Sequence, residues 1–462
     1  MKLNFMFTFS AGLRGMIRPA LTVLCLGLLV PHGSAQEPAA EDLKEKVAAL
    51  QEEVARLTAG SDSERLTELE RRIDLLAAEI EKSRTGGATE VPAPRGVMGM
   101  APAASKVYGV ARGISLGGYG EVVYENFAKD RQDGALSGRV DQFDFVRQIV
   151  YVGYKFSDKV LFNSEIEFEH ASTGKGGEVS VEFGYVDFQP AKALGFRAGM
   201  VLVPMGFINE LHEPPIFHGA RRPEVEQAVL PSTWRENGAG VFGEAGPVQW
   251  RAYVVSGLSS AGFAASGIRG GRQSGARSRS EDFALTGRLD FIGVPGLLAG
   301  VSFFTGKSGQ GVTQDGAVIG GRVSLVDAHA QYEHRGLQLR LLGVRSTVDD
   351  GALINRKNGL TGNMSVGEGQ VGWYAQAAYD VMTHLPAGQW SVSPFVRYER
   401  LDTQDGVPAG FLEDPATDRS VLAAGVGVKP VTNVVLKAEF QRHQNEARTG
   451  TNQLNLALGF LF

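Results

Sequence analysis

The sequence predicts an all-β transmembrane barrel of 16 antiparallel strands, preceded by a short α-helical coiled-coil segment. From residue 113 onward, apolar and polar residues alternate with a period of two, as in β-strands. The connections between these predicted strands alternate between short and long. The last segment, 452–462, ends on Phe462 and has one apolar face and one small or polar face. That pattern suits lipid on one side and a polar interior on the other. Taken alone, this segment also fits a half-buried strand of a soluble sandwich.

The first 35 residues have the pattern of a secretory signal peptide. Basic residues precede the apolar run 20–30, and residues 33–35 are small. The run is too short for a spanning helix. Met16 is an alternative start to Met1. Cys25 is the only cysteine, so the mature chain would have no disulfide, cysteine metal site or cysteine nucleophile.

Composition excludes several other classes of protein. Without residues 1–35, 43 basic side chains face 51 acidic ones, a balance that does not suggest nucleic-acid binding. The chain has 60 glycines, and after the signal no apolar run approaches the roughly 20 residues of a spanning helix. Modest hydropathy with abundant glycine fits a barrel whose strands are apolar on one side.

Residues 36–84 predict a helical coiled-coil stalk in the periplasm. Apolar residues recur four and three apart in two blocks, and the break at residues 60–63 shifts the second block out of phase. Two alternatives stay open, a trimeric coiled coil and a hairpin of two helices within one chain. Residues 85–106 are rich in Gly, Pro and Ala and predict a linker.

The barrel is predicted over residues 107–462. Tight connections such as 157–159 and 334–336 alternate with long polar ones such as 259–280, which is typical of periplasmic turns and extracellular loops. The predicted strands are 113–127, 140–156, 160–171, 178–189, 195–203, 238–243, 248–257, 281–291, 297–305, 317–332, 337–346, 369–382, 389–401, 419–428, 434–443 and 452–462.

Charged residues on the polar face of these strands are predicted to line the pore. A charge on the lipid face costs about 2–4 kcal/mol near the midplane, so the inward side is favoured. A barrel of this size leaves an aqueous channel, unless its own loops plug it. The predicted pore-lining residues are Arg147, Glu165, Glu167, Glu169, Arg197, Arg251, Arg288, Asp290, Arg340, Asp380, Arg397, Glu399, Lys437 and Glu439.

The longest connection, 204–237, is predicted to fold into the lumen as a constriction loop. Acids and bases occur together in it, so a transverse field across the pore is expected. A surface loop with solvated charges is the alternative. Its charged residues include Glu210, His212, Glu213, Arg221, Arg222, Glu224, Glu226 and Arg235. The spacing of its histidines fits no standard zinc pattern, and we predict no metal, cofactor or catalytic group.

Four segments carry a resemblance to a known family. Residues 196–199, 203–206, 209–215 and 433–440 are similar to the phosphate-selective porin O and P superfamily. The resemblance implies a trimeric, 16-stranded outer-membrane porin for small anionic solutes, and dicarboxylate-channel relatives also have an N-terminal coiled coil. One departure is the charge balance, because residues 107–462 hold 33 basic and 37 acidic side chains. Strict phosphate selectivity is therefore not carried over.

These observations predict a passive outer-membrane channel for small hydrophilic solutes, with anions favoured by the resemblance and the selectivity left open. The expected partners are outer-membrane lipids, two further copies of the chain, and the barrel-assembly machinery, which reads a terminal aromatic such as Phe462. Nucleic acid is not expected as a partner. Two alternatives from other classes are a structural tether acting through the stalk and a barrel-borne lipid hydrolase.

Overall fold

A computed structural model describes Arg71 and residues 97–385 and 390–462. The chain divides into two compact units, 1–90 and 91–462. The predicted signal peptide, and the stalk apart from Arg71, lie outside the described residues. Within the described part of the chain, no helix combines the length and apolar character needed to cross a membrane.

Sixteen antiparallel strands close into a barrel, so the predicted strand count and closure are confirmed. Each strand pairs with its neighbours in the sequence, and the last strand pairs with the first. The first nine strands are β1 Gly113–Phe127, β2 Gln142–Lys155, β3 Val160–Glu169, β4 Val179–Ala191, β5 Leu194–Leu202, β6 Arg235–Ala245, β7 Val248–Ser256, β8 Phe283–Phe291 and β9 Leu297–Gly306.

Two short strands then form a hairpin outside the barrel wall, and seven further strands complete the wall. The hairpin strands are β10 Thr313–Gln314 and β11 Ala317–Val318. The wall strands are β12 Val323–His334, β13 Leu337–Val348, β14 Gly369–Tyr379, β15 Ser391–Asp402, β16 Arg419–Val431, β17 Val434–Asn445 and β18 Gln453–Leu461. The predicted strand 317–332 therefore joins two elements, because the irregular segment 319–322 separates β11 from β12.

The wall is apolar outside and polar inside. On β13, Leu337, Leu339 and Leu341 are exposed on the outer face, whereas Arg340 between them is buried inside. Successive strand residues point to opposite faces, so one apolar set covers the exterior. Lipid requires this arrangement, since the hydrocarbon core offers polar side chains no partners.

The two rims differ as the sequence predicts. Turns such as 335–336 and 432–433 lie at one rim, together with the start of β1 and the end of β18. The long connections leave from the other rim. One of them contains the helix Gly351–Asn358. Another, residues 203–234, turns back into the lumen, and we call it the inner loop.

The inner loop begins and ends differently from the prediction. The predicted loop 204–237 included Arg235, but β6 starts at that residue and pairs it with Leu202 of β5. Strand pairing therefore continues further toward the loop than the local sequence indicates. Within the inner loop lie the short helix Val225–Ala228 and the 3-10 turn Pro214–Ile216.

Residues 97–109 are packed inside the barrel near the short-turn rim. Ala103 and Ala104 donate backbone N–H groups to the carboxylate of Glu213 at 2.9 and 3.0 Å. The side-chain amide of Asn163 on β3 donates to the carbonyl of Ala104 at 2.9 Å. Part of the predicted linker 85–106 is therefore a lumenal segment, which residues 107–109 continue as the end of a short helix.

Candidate functional site

The inner loop is held at its base by one asparagine. The amide nitrogen of Asn209 donates to the carbonyls of Val203 and Trp234 at 2.7 and 2.9 Å, and its oxygen accepts the N–H of Trp234 at 2.5 Å. These three bonds join the two ends of the loop. A buried backbone needs such partners, because unpaired N–H and C=O groups are costly away from water.

A carboxylate links the middle of the inner loop to the wall. Glu226 accepts the backbone N–H groups of Phe207 and Ile208 at 2.8 and 2.7 Å, and the hydroxyl of Tyr374 on β14 donates to it at 2.7 Å. Burial raises the pKa of Glu226, and these hydrogen bonds act in the opposite direction. One side chain thus closes a turn of the loop and fixes it to β14.

Ion pairs fill the lumen on the side of β7, β8 and β12. Glu210 of the inner loop receives two hydrogen bonds from Arg251, at 2.9 and 2.8 Å. Asp290 accepts from Arg288 at 2.7 Å and lies 2.8 Å from Nε2 of His329. All five side chains are buried. These charges neutralise one another and hold the loop against the wall.

A second set joins the loop to β15 and β17. Arg397 donates to Glu399 at 2.7 Å and to Glu439 at 3.4 Å. The ammonium of Lys437 donates to the carbonyl of Gly219 at 2.8 Å and lies 3.7 Å from the ring centre of Phe217. The loop therefore approaches the wall closely at this point.

A buried polar cluster lies where the loop meets β3 and β4. Nε2 of His212 is 3.1 Å from Glu165 and 3.9 Å from Glu182. Burial lowers the pKa of His212, but the charge and hydrogen bond of Glu165 outweigh it and leave the pKa raised. Arg235 donates to Glu182 at 2.9 Å. For the adjacent Glu213, burial raises the pKa to about 7 despite the N–H groups that it accepts.

Two cavities lie at opposite ends of the lumen along this part of the wall. The outer cavity, near the long loops, has a volume of about 500 Å³, and the inner cavity, near the short turns, about 420 Å³. Arg221 and Arg222 of the inner loop line the first, and Phe217 and His218 line the second. Residues 219–220 lie between them, and we call this pair the septum.

Arginine dominates the outer cavity. The cavity is lined by five arginines and one carboxylate: Arg139, Arg221, Arg222, Arg269, Arg419 and Glu224. Arg222 has two buried nitrogens, Nε and Nη2, without a hydrogen-bond partner among the described residues. Arg221 pairs with Glu125 at 3.0 Å and Arg419 with Glu224 at 3.6 Å. The cavity therefore offers positive charge to an incoming solute.

The inner cavity has mixed charge. Lys429, Lys437 and Arg335 line it together with Glu333 and Asp380. Lys429 donates to the carbonyl of Pro215 at 2.8 Å, which ties the lowest part of the inner loop to β16. At the same level, burial lowers the pKa of His218 to about 3, and this histidine contacts Gln338 at 2.5 Å.

Sequence comparison identifies a bacterial relative of the chain. A protein of Aquifex aeolicus (strain VF5), described as uncharacterized, is 34% identical over 375 residues, which is 79% of this chain and 83% of that protein. The chain belongs to the family of this Aquifex protein. No known family model matches the chain, so the resemblance to the O and P superfamily stays a prediction.

The solved structures that are similar to this chain include outer-membrane channels. The anion-selective porin from Comamonas acidovorans is 13% identical and aligns over 76% of this chain and 99% of its own, with a TM-score of 0.48. The channel DcaP of Acinetobacter baumannii is 13% identical and aligns over 76% and 97%, with a TM-score of 0.49. The barrel assignment rests on the strand pairing described above and not on these structures.

The structure places the predicted pore-lining residues on inward-facing strand positions, except Asp380, which lines the inner cavity from a turn at the rim. Asp380 follows β14 in a turn, where its carboxylate accepts the N–H groups of Met382 and Val392 at 3.0 and 3.1 Å. Most of the others are covered by the inner loop and by residues 97–109 instead of facing open water. The buried members are Glu165, Glu167, Arg197, Arg251, Arg288, Asp290, Arg340, Arg397, Glu399, Lys437 and Glu439. Arg147 and Glu169 keep partial exposure.

Several lumenal residues were missed by the sequence analysis. Asp187, Asp327 and His329 lie on inward faces that the alternation of β4 and β12 indicates, so the period of two was sufficient to find them. Glu182 was predicted to face inward on a strand that is apolar on both sides, and a bulge in the pairing of β3 with β4 beside Glu165 accompanies its buried inward position. Such a bulge changes which residues face inward, and the sequence carries no clear sign of it.

Proposed function

We propose that this protein is a bacterial outer-membrane channel for passive diffusion of small hydrophilic solutes, with a preference for anions. The carrying observation is the pair of cavities with charged side chains in their walls, on either side of the septum and inside a closed barrel with an apolar exterior. A solute would enter the outer cavity, pass the septum and leave through the inner cavity. The septum is then the narrowest part of the path.

Anion preference follows from where the charges lie and not from their total. Most lumenal carboxylates are bound to arginines or backbone N–H groups, as in Arg251–Glu210 and Arg397–Glu399. The outer cavity instead has more arginines than acids, and Arg222 keeps unpaired donors there. Guanidinium groups suit carboxylate and phosphate oxygens, so solutes carrying these groups are the expected cargo.

The dense filling of the lumen supports a small conductance. Gly219 has the side chains of Arg397 and Glu439 so close that an added Cβ would meet both at 2.8 Å. Ala220 is buried in a cluster with Val123 and Ala457 of the wall. A wide water-filled pore would leave these groups exposed, so ions would pass slowly through a narrow path at the septum.

Conductance and selectivity in planar bilayers test the proposal. Purified full-length protein should give stepwise currents, and a KCl gradient should give a reversal potential that favours chloride. The double variant Arg221→Gln/Arg419→Gln should lose most of that preference, because it removes two charges and frees Glu125 and Glu224. The matched control is Arg131→Gln, whose side chain pairs with Asp133 and is not among the side chains that line the cavity.

Several results would refute parts of this proposal. A folded, reconstituted protein that passes no current would exclude the channel. A wild-type reversal potential that favours potassium, or a double variant with unchanged selectivity, would exclude the outer cavity as the anion-selecting part.

We infer a homotrimer as the assembled state. Native mass spectrometry of the detergent-solubilised protein should show three chains, and a monomer would contradict this inference.

A further inference from the structure

We propose that the lumen binds one divalent transition-metal ion between Glu165, Glu182 and His212. These residues come from β3, β4 and the inner loop, so the barrel closure and the loop fold bring them together. Each offers one ligand atom, and these atoms all lie within 4.8 Å of one another. The inference concerns the packing of the lumen and is independent of the proposed transport.

The spacing of the ligand atoms fits a tetrahedral ion. Zinc–nitrogen and zinc–oxygen bonds of about 2.1 Å place neighbouring ligand atoms about 3.4 Å apart. Nε2 of His212 is 3.1 Å from Glu165 Oε1 and 3.9 Å from Glu182 Oε2, values on either side of that spacing. Small side-chain rotations would therefore complete the site without moving a strand.

The ring of His212 is already oriented for metal binding. Its Nδ1 lies 3.1 Å from the carbonyl oxygen of Asn209, which can only accept a hydrogen bond. Nδ1 therefore carries the proton, and Nε2 of the neutral ring directs its lone pair at two carboxylates. Acceptors facing one another need a cation between them, either a proton or a metal ion. A hydrogen bond from the second ring nitrogen to a carbonyl is the usual support of a metal-bound histidine.

Unpaired polar atoms converge on the same place. The Oε2 atoms of Glu165 and Glu182 are buried and have no hydrogen-bond partner among the described residues. The hydroxyls of Tyr119 and Tyr151 are buried and unpaired as well, and the ring of Tyr119 packs edge-on against His212 at 6.0 Å. Buried polar groups in native proteins are normally satisfied, so these atoms point to a bound ligand.

The arginines nearby bind either other acids or the Oε1 atom of Glu182, so the Oε2 atom of Glu182 stays available to a metal ion. Arg147 lies 3.4 Å from both Glu121 and Glu167, and Arg235 pairs with Glu182. Within the described part of the chain, the ion-pair partner of Glu165 is His212. One imidazole and two carboxylates suit a divalent ion such as Zn²⁺. Such an ion would join the inner loop directly to β3 and β4.

Zinc content of the purified protein tests this site. Full-length protein in detergent is treated with a chelator to remove bound metal, and it is then incubated with Zn²⁺. After the excess metal is removed, elemental mass spectrometry measures the zinc that each chain retains. We expect one zinc per chain, and at least tenfold weaker retention in each of Glu182→Gln, Glu165→Gln and His212→Gln. The control His218→Gln changes a histidine of the same loop that has no carboxylate in contact, and it should keep its zinc.

Folding must be verified for each variant, because the cluster is buried. A folded barrel migrates differently from a heated one in gel electrophoresis, and only variants that pass this check are compared. If one variant fails to fold, the other two keep the test decisive. Wild-type protein that retains no zinc, or retention equal in the three ligand variants and wild type, would overturn the site and leave a proton as the neutralising cation.

Discussion

Two carboxylates of the inner loop show how single residues hold the lumen together. Glu213 and Glu226 each accept two backbone N–H groups, from Ala103 and Ala104 in one case and from Phe207 and Ile208 in the other. Hydrogen bonds to the charged form favour it, whereas burial disfavours it. Burial is the stronger effect at both, so each pKa is raised. The stability of the folded protein should therefore depend on pH through these two acids.

Stability should fall as the pH rises through the window set by Glu213. Its pKa is about 7 in the folded protein and 4.5 in an ordinary setting, so between these values the folded form holds a proton that the unfolded form releases. The loss of stability should reach about 3 kcal/mol and level off above pH 7. Urea unfolding between pH 5 and 8 measures it, and Glu213→Gln should show a clearly smaller decline.

The matched control for that series is Glu446→Gln, an exposed loop position that should keep the wild-type decline. In protein stripped of metal, part of the decline should persist in Glu213→Gln, because the raised pKa of His212 also makes stability fall as the pH increases. Equal curves for wild type and Glu213→Gln would contradict the role of the Glu213 carboxyl.

At the scale of elements, the wall strands and the inner loop form one packed unit. Tyr374 on β14 reaches Glu226, Lys429 on β16 reaches Pro215, and Lys437 on β17 reaches Gly219. The loop is thus attached to three wall strands, β14, β16 and β17, along its length. Fastening by several strands keeps the septum at a fixed distance from the wall.

Removal of one fastening should loosen the loop without opening the barrel. Tyr374→Phe deletes the hydroxyl that donates to Glu226 at 2.7 Å and leaves the buried carboxylate with one partner fewer. The expected loss is about 1–3 kcal/mol of unfolding free energy, together with more frequent current fluctuations in planar bilayers. Tyr398→Phe is the control, since this tyrosine faces outward on the adjacent β15. Equal behaviour of the two variants would disprove the fastening.

The sequence predicts these elements unevenly. The alternation of apolar and polar residues predicted the sixteen strands and the inward orientation of residues such as Arg397 and Lys437. It did so because a membrane barrel has an apolar exterior and a polar interior. It missed the lumenal position of residues 97–106. That segment has small side chains and no apolar period, and it is held by Glu213 and Asn163 through its backbone. A pattern of side chains cannot reveal partners of backbone groups.

At the scale of the whole molecule, the seam between the first and last strands closes the barrel. Gly118 and Phe462 exchange two backbone hydrogen bonds of 3.0 Å. The rings of Phe460 and Phe462 lie against Gly120 and Gly118 of β1, where a Cβ would contact them. Glycine on one strand thus makes room for aromatics on the other. The terminal aromatics therefore contribute to closure of the barrel.

An added methyl group at this seam should impair closure. In Gly118→Ala the new Cβ would overlap the carbonyl oxygen of Ile149 on β2, and that backbone atom cannot move without disturbing the pairing of β1 with β2. Overpacking of this kind costs about 1–3 kcal/mol, so less of the protein should reach the folded form in gel electrophoresis of unheated samples. Gly109→Ala is the control, because no atom lies within 4 Å of its added Cβ. If Gly118→Ala folds as completely as Gly109→Ala, and is as resistant to urea, the seam has more freedom than this close packing implies.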